Sequence, residues 1–335
     1  MDLKQLTDID AVSGNENALR RAIVEAARAL CDDVTIDRSG NVIATKPGTD
    51  DRLPHVVLSA HMDEVGFMIV GYTDDGLLRI RPIGGIDPRV AVSKWVRVGK
   101  DALPGVIGAM AIHLQTPEDR QRVLGFDKLY IDIGAKDQKE AEKLCPLGTY
   151  AAFDTPYTPF GDGFVAAKAL DDRVGCLSLL RILENDYAAK VTCAFVTQEE
   201  VGLRGAKGAA FTLQPDIAIV LEGTAANDVG DVPARSRVCE AGNGVCVSFM
   251  DGASIADRGL FQTMLSLAAS EGIPHQVKRA VTGGNDAGAY QRTGVGARTV
   301  VLSVPCRYIH SGASVAKLSD IDAQYALAHA FLNNL

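Results

Sequence analysis

Four apolar runs with the pattern of buried strands are each followed by histidine or carboxylate side chains, which bind metal ions at hydrolytic sites. These side chains are His61 and Asp63 after run 56–60, Glu199 and Glu200 after run 191–196, Glu222 after run 217–221, and His310 a few residues after run 299–304. In an open α/β sheet, ligands bind beyond the carboxyl ends of the strands. We therefore expect these side chains to meet at one edge of a sheet.

The donor types narrow the chemistry of this predicted site. Imidazole and carboxylate ligands without thiolate suit zinc, cobalt or manganese in a hydrolytic centre. Asp171 and Asp172 precede a helical pattern and add further carboxylates. The whole set exceeds what one catalytic ion needs, and it fits two ions about 3.5–4 Å apart that share a carboxylate and a water. Without cations, so many acids would repel one another and some would be protonated.

Each of these residues taken alone also has a purely structural interpretation. A single histidine is more often a core or surface residue than a ligand. Asp171-Asp172 would serve equally well as the N-cap and first-turn acid of a helix, and Glu199-Glu200 as a solvated loop pair. The loop Gly283–Asp286 has the composition of a plain tight turn. The recurrence of donors at successive strand ends is what favours a metal site.

The elements that must position these donors alternate between strands and helices. This alternation predicts an α/β fold with a mostly parallel mixed sheet covered by helices. Short apolar runs punctuated by Gly and Pro predict a small β-rich insertion at 65–159. The predicted catalytic domain therefore comprises 1–64 and 160–335. Ser13 and Glu16 form a capping-box pattern ahead of the first long helix.

Composition excludes several other classes of protein. The 335 residues include 34 basic and 42 acidic side chains, a net charge of −8 that argues against a nucleic-acid partner. No apolar run is long enough to span a membrane, and the start has no signal-peptide pattern. The seven cysteines are odd in number and contain no C-x-x-C pair, which predicts buried thiols in a reducing compartment. The predicted location is cytoplasmic.

Four segments of the chain match motifs of a known family, in the family's order: Ser59–Gly66, Ala169–Gly175, Thr197–Gly202 and Pro305–Ser311. With these motifs the chain, from about residue 5 to 332, resembles the M42 metallo-aminopeptidases. These are tetrahedral, self-compartmentalising enzymes that include glutamyl aminopeptidases. Some members carry the name endoglucanase M, which the low aromatic content of 6% does not support here.

The resemblance implies a metal ligand at each of five positions. His61 and Glu222 would ligate one divalent ion, Glu200 and His310 would ligate the other, and Asp171 would bridge the two. The ions implied are Zn²⁺ or Co²⁺, with Mn²⁺ also compatible with this ligand set. Many relatives have Asp where this chain has Glu222, and the longer side chain still supplies a carboxylate.

The resemblance also implies roles for the residues beside the ligands. Glu199 would be the general base, activating the shared water and then passing its proton to the leaving amine. Asp63 would hold the His61 imidazole in the correct tautomer. The peptide bond between Asp171 and Asp172 is cis in relatives. Gly312 stands where Pro is frequent in the family, and neither departure removes a ligand.

An aminopeptidase of this kind acts on peptides with a free N-terminus, and no nucleic acid or membrane is expected as a partner. In the resembled family the inserted β domain mediates dimerisation and assembly, commonly into a dodecamer, so a homo-oligomer is expected. The family spans acidic, basic, aliphatic and blocked-peptide preferences, which leaves the preferred N-terminal residue open.

Two other functions remain open from the residues. A related di-metal carboxypeptidase or amide deacylase shares the H-x-D opening and the Glu-Glu pair, but it would use a basic or amide group to grip a substrate carboxylate. A non-catalytic peptide-binding or assembly protein would keep the metal site without turnover. The intact Glu199 argues against that second alternative.

Overall fold

The computed structural model describes all residues, 1–335, as ten helices and seventeen strands together with three short 3-10 turns. The helices are α1 (Leu3–Asp8), α2 (Asn17–Arg28), α3 (Pro88–Ala91), α4 (Pro117–Arg120), α5 (Gln138–Leu144), α6 (Leu170–Leu183), α7 (Arg204–Leu213), α8 (Arg258–Ser270), α9 (Ala287–Arg292) and α10 (Leu318–Asn333). The strands are β1 (Asp33–Ile36), β2 (Val42–Lys46), β3 (Val56–His61), β4 (Gly66–Tyr72), β5 (Leu78–Ile83), β6 (Trp95–Val98), β7 (Leu103–Ala109), β8 (Leu129–Asp132), β9 (Tyr150–Phe153), β10 (Thr158–Phe160), β11 (Phe164–Ala167), β12 (Val191–Val196), β13 (Ile217–Ala225), β14 (Val245–Ser248), β15 (His275–Val277), β16 (Arg298–Arg307) and β17 (Ser314–Lys317). None of the helices combines the length and apolar character needed to cross a bilayer.

The larger sheet has eleven strands, nine of them in the order β1-β2-β12-β3-β13-β16-β17-β11-β10, with β14 and β15 joined beside β16. The predicted α/β class and mixed sheet are confirmed, but the sheet is not mostly parallel. The pairs β12–β3, β3–β13, β13–β16 and β14–β15 are parallel, and the other six pairs are antiparallel. Three of the antiparallel pairs, β1–β2, β10–β11 and β16–β17, are joined by short connections, which permit antiparallel pairing, whereas parallel pairing needs a crossover.

The central parallel strands are buried on both faces. All six residues of β3 and all six of β12 are buried, as expected for continuous apolar runs. Leu58 and Phe195 belong to a large core cluster that includes side chains of α2, α6, α8 and α10. Val57 and Ala194 belong to a second cluster that includes side chains of α7 and α9. Successive residues of a strand therefore pack in different cores, because side chains alternate between the faces of a sheet.

Strands β4 to β9 form a separate closed barrel in the order β4-β5-β8-β7-β6-β9. The barrel has its own core of sixteen buried residues. In this core the ring of Phe67 packs edge-on against Phe153, with ring centroids 5.2 Å apart. β10, which begins at Thr158, already pairs within the larger sheet. A β-rich unit is thus present, while the division of the chain at residues 65 and 159 stays a prediction.

The predicted capping box at the first long helix is wrong. α2 begins at Asn17, and Glu16 occupies the N-cap without a side-chain capping bond. The Glu16 carboxylate instead accepts from the Gly14 amide at 2.7 Å. The Ser13 hydroxyl donates to the Asp63 carboxylate at 2.6 Å. A tertiary partner fifty residues away, invisible to a local pattern, takes the hydroxyl that the pattern assigned to a helix cap.

A buried carboxylate ties the end of β3 to the start of α6. Glu64, 2% exposed, accepts from Lys168 Nζ at 2.8 and 2.9 Å and from Arg173 at 3.1 Å. It also accepts from the Ala11 amide at 2.8 Å. Lys168 and Arg173 are themselves buried, so Glu64, together with Asp10 at 3.2 Å from Lys168, compensates charges that water cannot reach.

Glu64→Ala is expected to lower the free energy of unfolding by about 3–5 kcal/mol, because it leaves Arg173 buried without a carboxylate partner. Urea unfolding followed by circular dichroism measures the change. Asp8→Ala is the control, since it removes an exposed i,i+4 pair with Lys4 and should change stability by less than about 0.5 kcal/mol. A loss below about 1 kcal/mol for Glu64→Ala would contradict the importance of this buried cluster.

Candidate metal centre

Two of the predicted donors lie on central strands of the larger sheet. His61 is the last residue of β3. Glu222 lies inside β13 and not after it, so the predicted end of this strand at residue 221 is wrong. The strand continues because its parallel register with β16 extends as far as Ala225 opposite Cys306.

The other donors lie in the backbone turns that follow or precede these elements. Glu199 and Glu200 are in the loop between β12 and α7. Asp171 lies in the first turn of α6 with non-helical backbone angles, and its peptide bond to Asp172 is cis, as the resemblance implied. His310 follows β16 with φ +56°, in the left-handed region. These departures from regular structure aim the side chains at a common point.

The carboxylate of Asp171 lies between two imidazoles. Its Oδ1 is 3.4 Å from His61 Nε2, and its Oδ2 is 3.5 Å from His310 Nε2. The Glu200 carboxylate is also close to this imidazole, 3.3 Å from the same Nε2. These separations exceed the 2.7–2.9 Å typical of charged hydrogen bonds. The side chains thus converge without bonding directly to one another.

The donor atoms form two overlapping sets in which all atoms lie within 4.8 Å of one another. One set comprises His61, Glu199 and Glu200, and the other comprises Asp171, Glu200 and His310. Glu222 belongs to neither set but lines the same cavity of about 280 Å³ as Asp171. Oxygen and imidazole donors at this spacing fit divalent metal ions. We refer to these six side chains as the candidate centre.

The chain matches the family model described as M42 glutamyl aminopeptidase over residues 40–327. It belongs to the M42 aminopeptidase family. The family is that of peptide-bond hydrolases, so the predicted family and enzyme class are confirmed.

Relatives match this M42 chain over almost its whole length. The lysyl aminopeptidase of Pyrococcus furiosus is 32% identical, covering 99% of this chain and 96% of its own. The structure of an aminopeptidase from Desulfurococcus kamchatkensis is 33% identical with a TM-score of 0.94, covering 99% and 94%. The TET1 peptidase of Pyrococcus horikoshii, described as assembling into a tetrahedron or a large octahedral shell, is 34% identical with a TM-score of 0.87, covering 99% and 98%.

Burial and crowding raise the pKa values of the carboxyl groups in this M42 centre. Burial, reinforced by the charge of Asp171, raises the pKa of Glu222 to about 8 and that of Glu200 to about 7. Burial, with like charge from Asp286 and Glu200, also raises the pKa of Glu199 well above its ordinary value. The chain alone therefore holds protons where divalent cations would compensate the same charges.

The pKa values of the two histidines and of the carboxylate between them shift in the directions that favour their charged forms. Burial opposes charge on His61, but the carboxylates of Asp171 and Asp63 outweigh it and raise the pKa of His61 well above its ordinary value. Burial is likewise outweighed at His310, where Asp171 and Glu200 raise the pKa to about 9. The pKa of Asp171 is lowered, because the two imidazoles outweigh the effect of burial.

The Asp63 side chain holds the loop that carries Glu199 and Glu200. Its carboxylate accepts from the backbone amides of Glu199 at 2.9 Å and Glu200 at 3.2 Å, and from Ser13 Oγ. The nearest acceptor for His61 Nδ1 is the backbone carbonyl of Asp63 at 3.0 Å, with the Asp63 carboxylate at 3.6 Å. The imidazole is thus oriented mainly by main chain, while the Asp63 side chain fixes the Glu-Glu loop.

The loop Gly283–Asp286, which has the composition of a plain turn in the sequence, lines the cavity of the candidate centre. Asn285 Nδ2 donates to the Asp251 carboxylate at 2.7 Å and lies 3.4 Å from Glu222 Oε1. Asp286 is 1% exposed, and neither of its carboxylate oxygens has a hydrogen-bond partner in the chain. The Gly-Gly pair before two polar residues is the signal that could have indicated a close approach to a site.

The chelator-treated protein is expected to lose stability as pH rises from about 6 to 9. Glu200, Glu222 and His310 have folded-state pKa values above their unfolded ones, so the folded state binds more protons and their contribution is lost on deprotonation. Each group contributes at most about 1.4 kcal/mol per pH unit. Thermal unfolding across this range measures the slope.

Added Zn²⁺ or Co²⁺ should restore stability most strongly at the alkaline end, because metal and protons compete for the same donors. Glu222→Gln, which removes one titrating group, should reduce the slope of the metal-free protein. If the melting temperature of the metal-free protein stays level or rises between pH 6 and 9, the raised pKa values of these three groups are contradicted.

Proposed function

We propose that this M42 protein is a di-metal aminopeptidase that removes N-terminal residues from peptides. The observation that carries the proposal is the carboxylate of Asp171, whose two oxygens each face a different imidazole. In this proposal His61 and Glu222 hold one ion, Glu200 and His310 hold the other, and Asp171 bridges them. When bound, two such ions, zinc or cobalt, lower the pKa of a shared water and polarise the scissile carbonyl.

Glu199 would act as the general base. It lines the cavity beside His61 but is not needed as a ligand in this arrangement. The hydrogen bond from its own amide to Asp63 holds the backbone in place, so the carboxylate has a defined position. Burial raises its pKa, which suits a group that takes a proton from water and returns it to the leaving amine.

The cavity favours release of single residues. Its volume of about 280 Å³ is just below the range for small-molecule sites, roughly 300–1,000 Å³, so it accommodates one residue and not a long polymer. The carboxylates that line it attract a protonated α-amine. An acylated N-terminus has no such charge, which supports exopeptidase action on free termini.

We also propose that the chain works as a homo-oligomer, with the barrel unit, residues 65–159, mediating dimers that assemble into a dodecamer. The similar TET1 peptidase is described as forming closed shells. The barrel unit carries several exposed apolar side chains, among them Trp95, Met110, Ile112 and Leu147. Exposed apolar side chains of this size are available for burial in a contact between subunits.

A peptide panel tests the proposed reaction. Chelator-stripped protein supplied with Co²⁺ or Zn²⁺ should release single N-terminal residues from unblocked peptides and leave N-acetylated peptides intact. Mass spectrometry of the products measures both. Metal-dependent cleavage confined to acylated or C-terminal bonds would assign the protein to the carboxypeptidase or deacylase class, and metal binding without any cleavage would indicate a peptide-binding protein.

Glu199→Gln should lower kcat by roughly 10²- to 10⁴-fold, the range for loss of a general base, while the bound metal per chain stays unchanged. Elemental analysis of the purified variant gives the metal content. Glu118→Gln, an exposed position on α4, serves as the control and should match the parent protein. Turnover within tenfold of the parent would contradict the assignment of Glu199.

A further inference from the structure

A buried lysine faces the cavity of the candidate centre. Lys278 directly follows β15 and is 4% exposed. Its backbone amide donates to the Val247 carbonyl at 3.1 Å, which fixes its position beside the sheet. Its side chain lines the cavity together with Glu222 and Thr282. The only hydrogen bond of its Nζ is to the Thr282 carbonyl, at a long 3.4 Å.

Lys278 differs from the other fully buried cations in having no carboxylate partner. Lys168 is 2.8 Å from the Glu64 carboxylate, and Arg173 is 3.1 Å from it. No carboxylate oxygen of the chain lies within 4.0 Å of the Lys278 ammonium. Buried charges are normally paired, so the partner of this ammonium is expected to come from outside the chain.

Neighbouring cations are already paired. Arg279, next in sequence, is 3.2 Å from the Glu240 carboxylate. Arg307, three residues before His310, makes two contacts of 2.8 Å with Asp228. Lys278 is therefore the cation of the cavity lining that is free to receive an anion.

Two nearby carboxylates are already engaged. Glu222 acts electrostatically on Lys278, but it belongs to the centre. Asp251, the other acid beside Glu222, accepts from Ser254 Oγ and from Asn285 Nδ2, both at 2.7 Å. Both carboxylates are held by other groups of the chain, and neither has an oxygen within 4.0 Å of the ammonium of Lys278.

In the metal-loaded enzyme, the carboxylates of the centre would be compensated by the charges of the metal ions. The centre contains four carboxylates, those of Asp171, Glu199, Glu200 and Glu222. In the proposed function they face two divalent cations, whose four positive charges balance them. These four carboxylates then no longer compete for the ammonium of Lys278, and the low dielectric of the cavity strengthens its attraction for an incoming anion.

We propose that Lys278 binds the side-chain carboxylate of the substrate's N-terminal residue, so that the enzyme prefers N-terminal aspartate or glutamate. This inference rests on the proposed aminopeptidase function, because it places the residue to be released beside the centre. Family membership alone leaves the sign of the preference open, since the M42 model is described as glutamyl and a relative is a lysyl aminopeptidase. The buried cation decides it here.

The test compares isosteric substrates that differ in charge. With the metal-loaded enzyme, kcat/KM for Glu- and Asp-p-nitroanilide should exceed that for the Gln and Asn analogues by roughly 10- to 100-fold, the effect of one charged hydrogen bond. Lys278→Met should bring these ratios within threefold of one. Lys278→Arg should retain an acidic preference, and Lys207→Met, an exposed control on α7, should match the parent enzyme.

The parent comparison needs no variant, so it stands even where Lys278→Met does not fold. Equal rates for Glu and Gln substrates in the parent enzyme, with clear turnover of neutral residues, would overturn the Lys278 proposal and leave the aminopeptidase function intact. Absence of turnover on every substrate would overturn the proposed function itself.

A second source of the same carboxylate is the C-terminus of a short peptide. The p-nitroanilides have no such group, so they isolate the side chain. If Lys278→Met instead removes a preference of the parent for Leu-Gly over Leu-Gly amide, with Glu and Gln anilides equal, the side-chain assignment is wrong.

Discussion

Mutual repulsion among crowded carboxylates is the constraint on which the centre depends. Asp171, Glu199, Glu200 and Glu222 converge at one edge of the sheet, where Glu222 is buried and the other three are partly buried. Their own histidines offset only part of that charge, and the remainder appears as raised pKa values at the three glutamates. Cations would relieve this repulsion, which is why a donor set unfavourable for the bare chain suits a metal enzyme.

Hydrogen bonds to backbone amides hold this arrangement against repulsion. Asp63 accepts from the amides of Glu199 and Glu200, and Asp172 accepts from the amide of His61 at 3.0 Å. Behind them, Glu64 with its two buried cations joins the end of β3 to the start of α6. Asp63 and Asp172 thus hold the main chain, Glu64 holds two buried cations, and the donors project from a rigid frame.

The two kinds of buried cation in this molecule have different consequences. Lys168 and Arg173 are satisfied by Glu64, so their charges stabilise the fold and offer nothing to a ligand. Lys278 has no such partner and lies in the wall of the cavity. A buried cation that is paired with a carboxylate stabilises the fold. A buried cation without a partner serves to bind a ligand, because an anion that enters the cavity pairs with it.

The sequence by itself determined the donor types, the fold class and the family. Strands such as 191–196 could be predicted to the residue because a fully buried strand is a continuous apolar run, and the motifs around His61, Asp171, Glu199 and His310 are local patterns. Glu222 could be predicted as a donor because it follows an apolar run, but its place inside β13 depends on pairing with a strand eighty residues later.

Only the tertiary structure decided what each side chain meets. Ser13 bonds to Asp63 and not to a helix end, the loop Gly283–Asp286 joins the centre, and the flanking strands pair antiparallel. Lys278 looks like any solvated lysine in the sequence. Its significance comes from burial and from a missing partner, and both are set by residues distant along the chain, which no local pattern encodes.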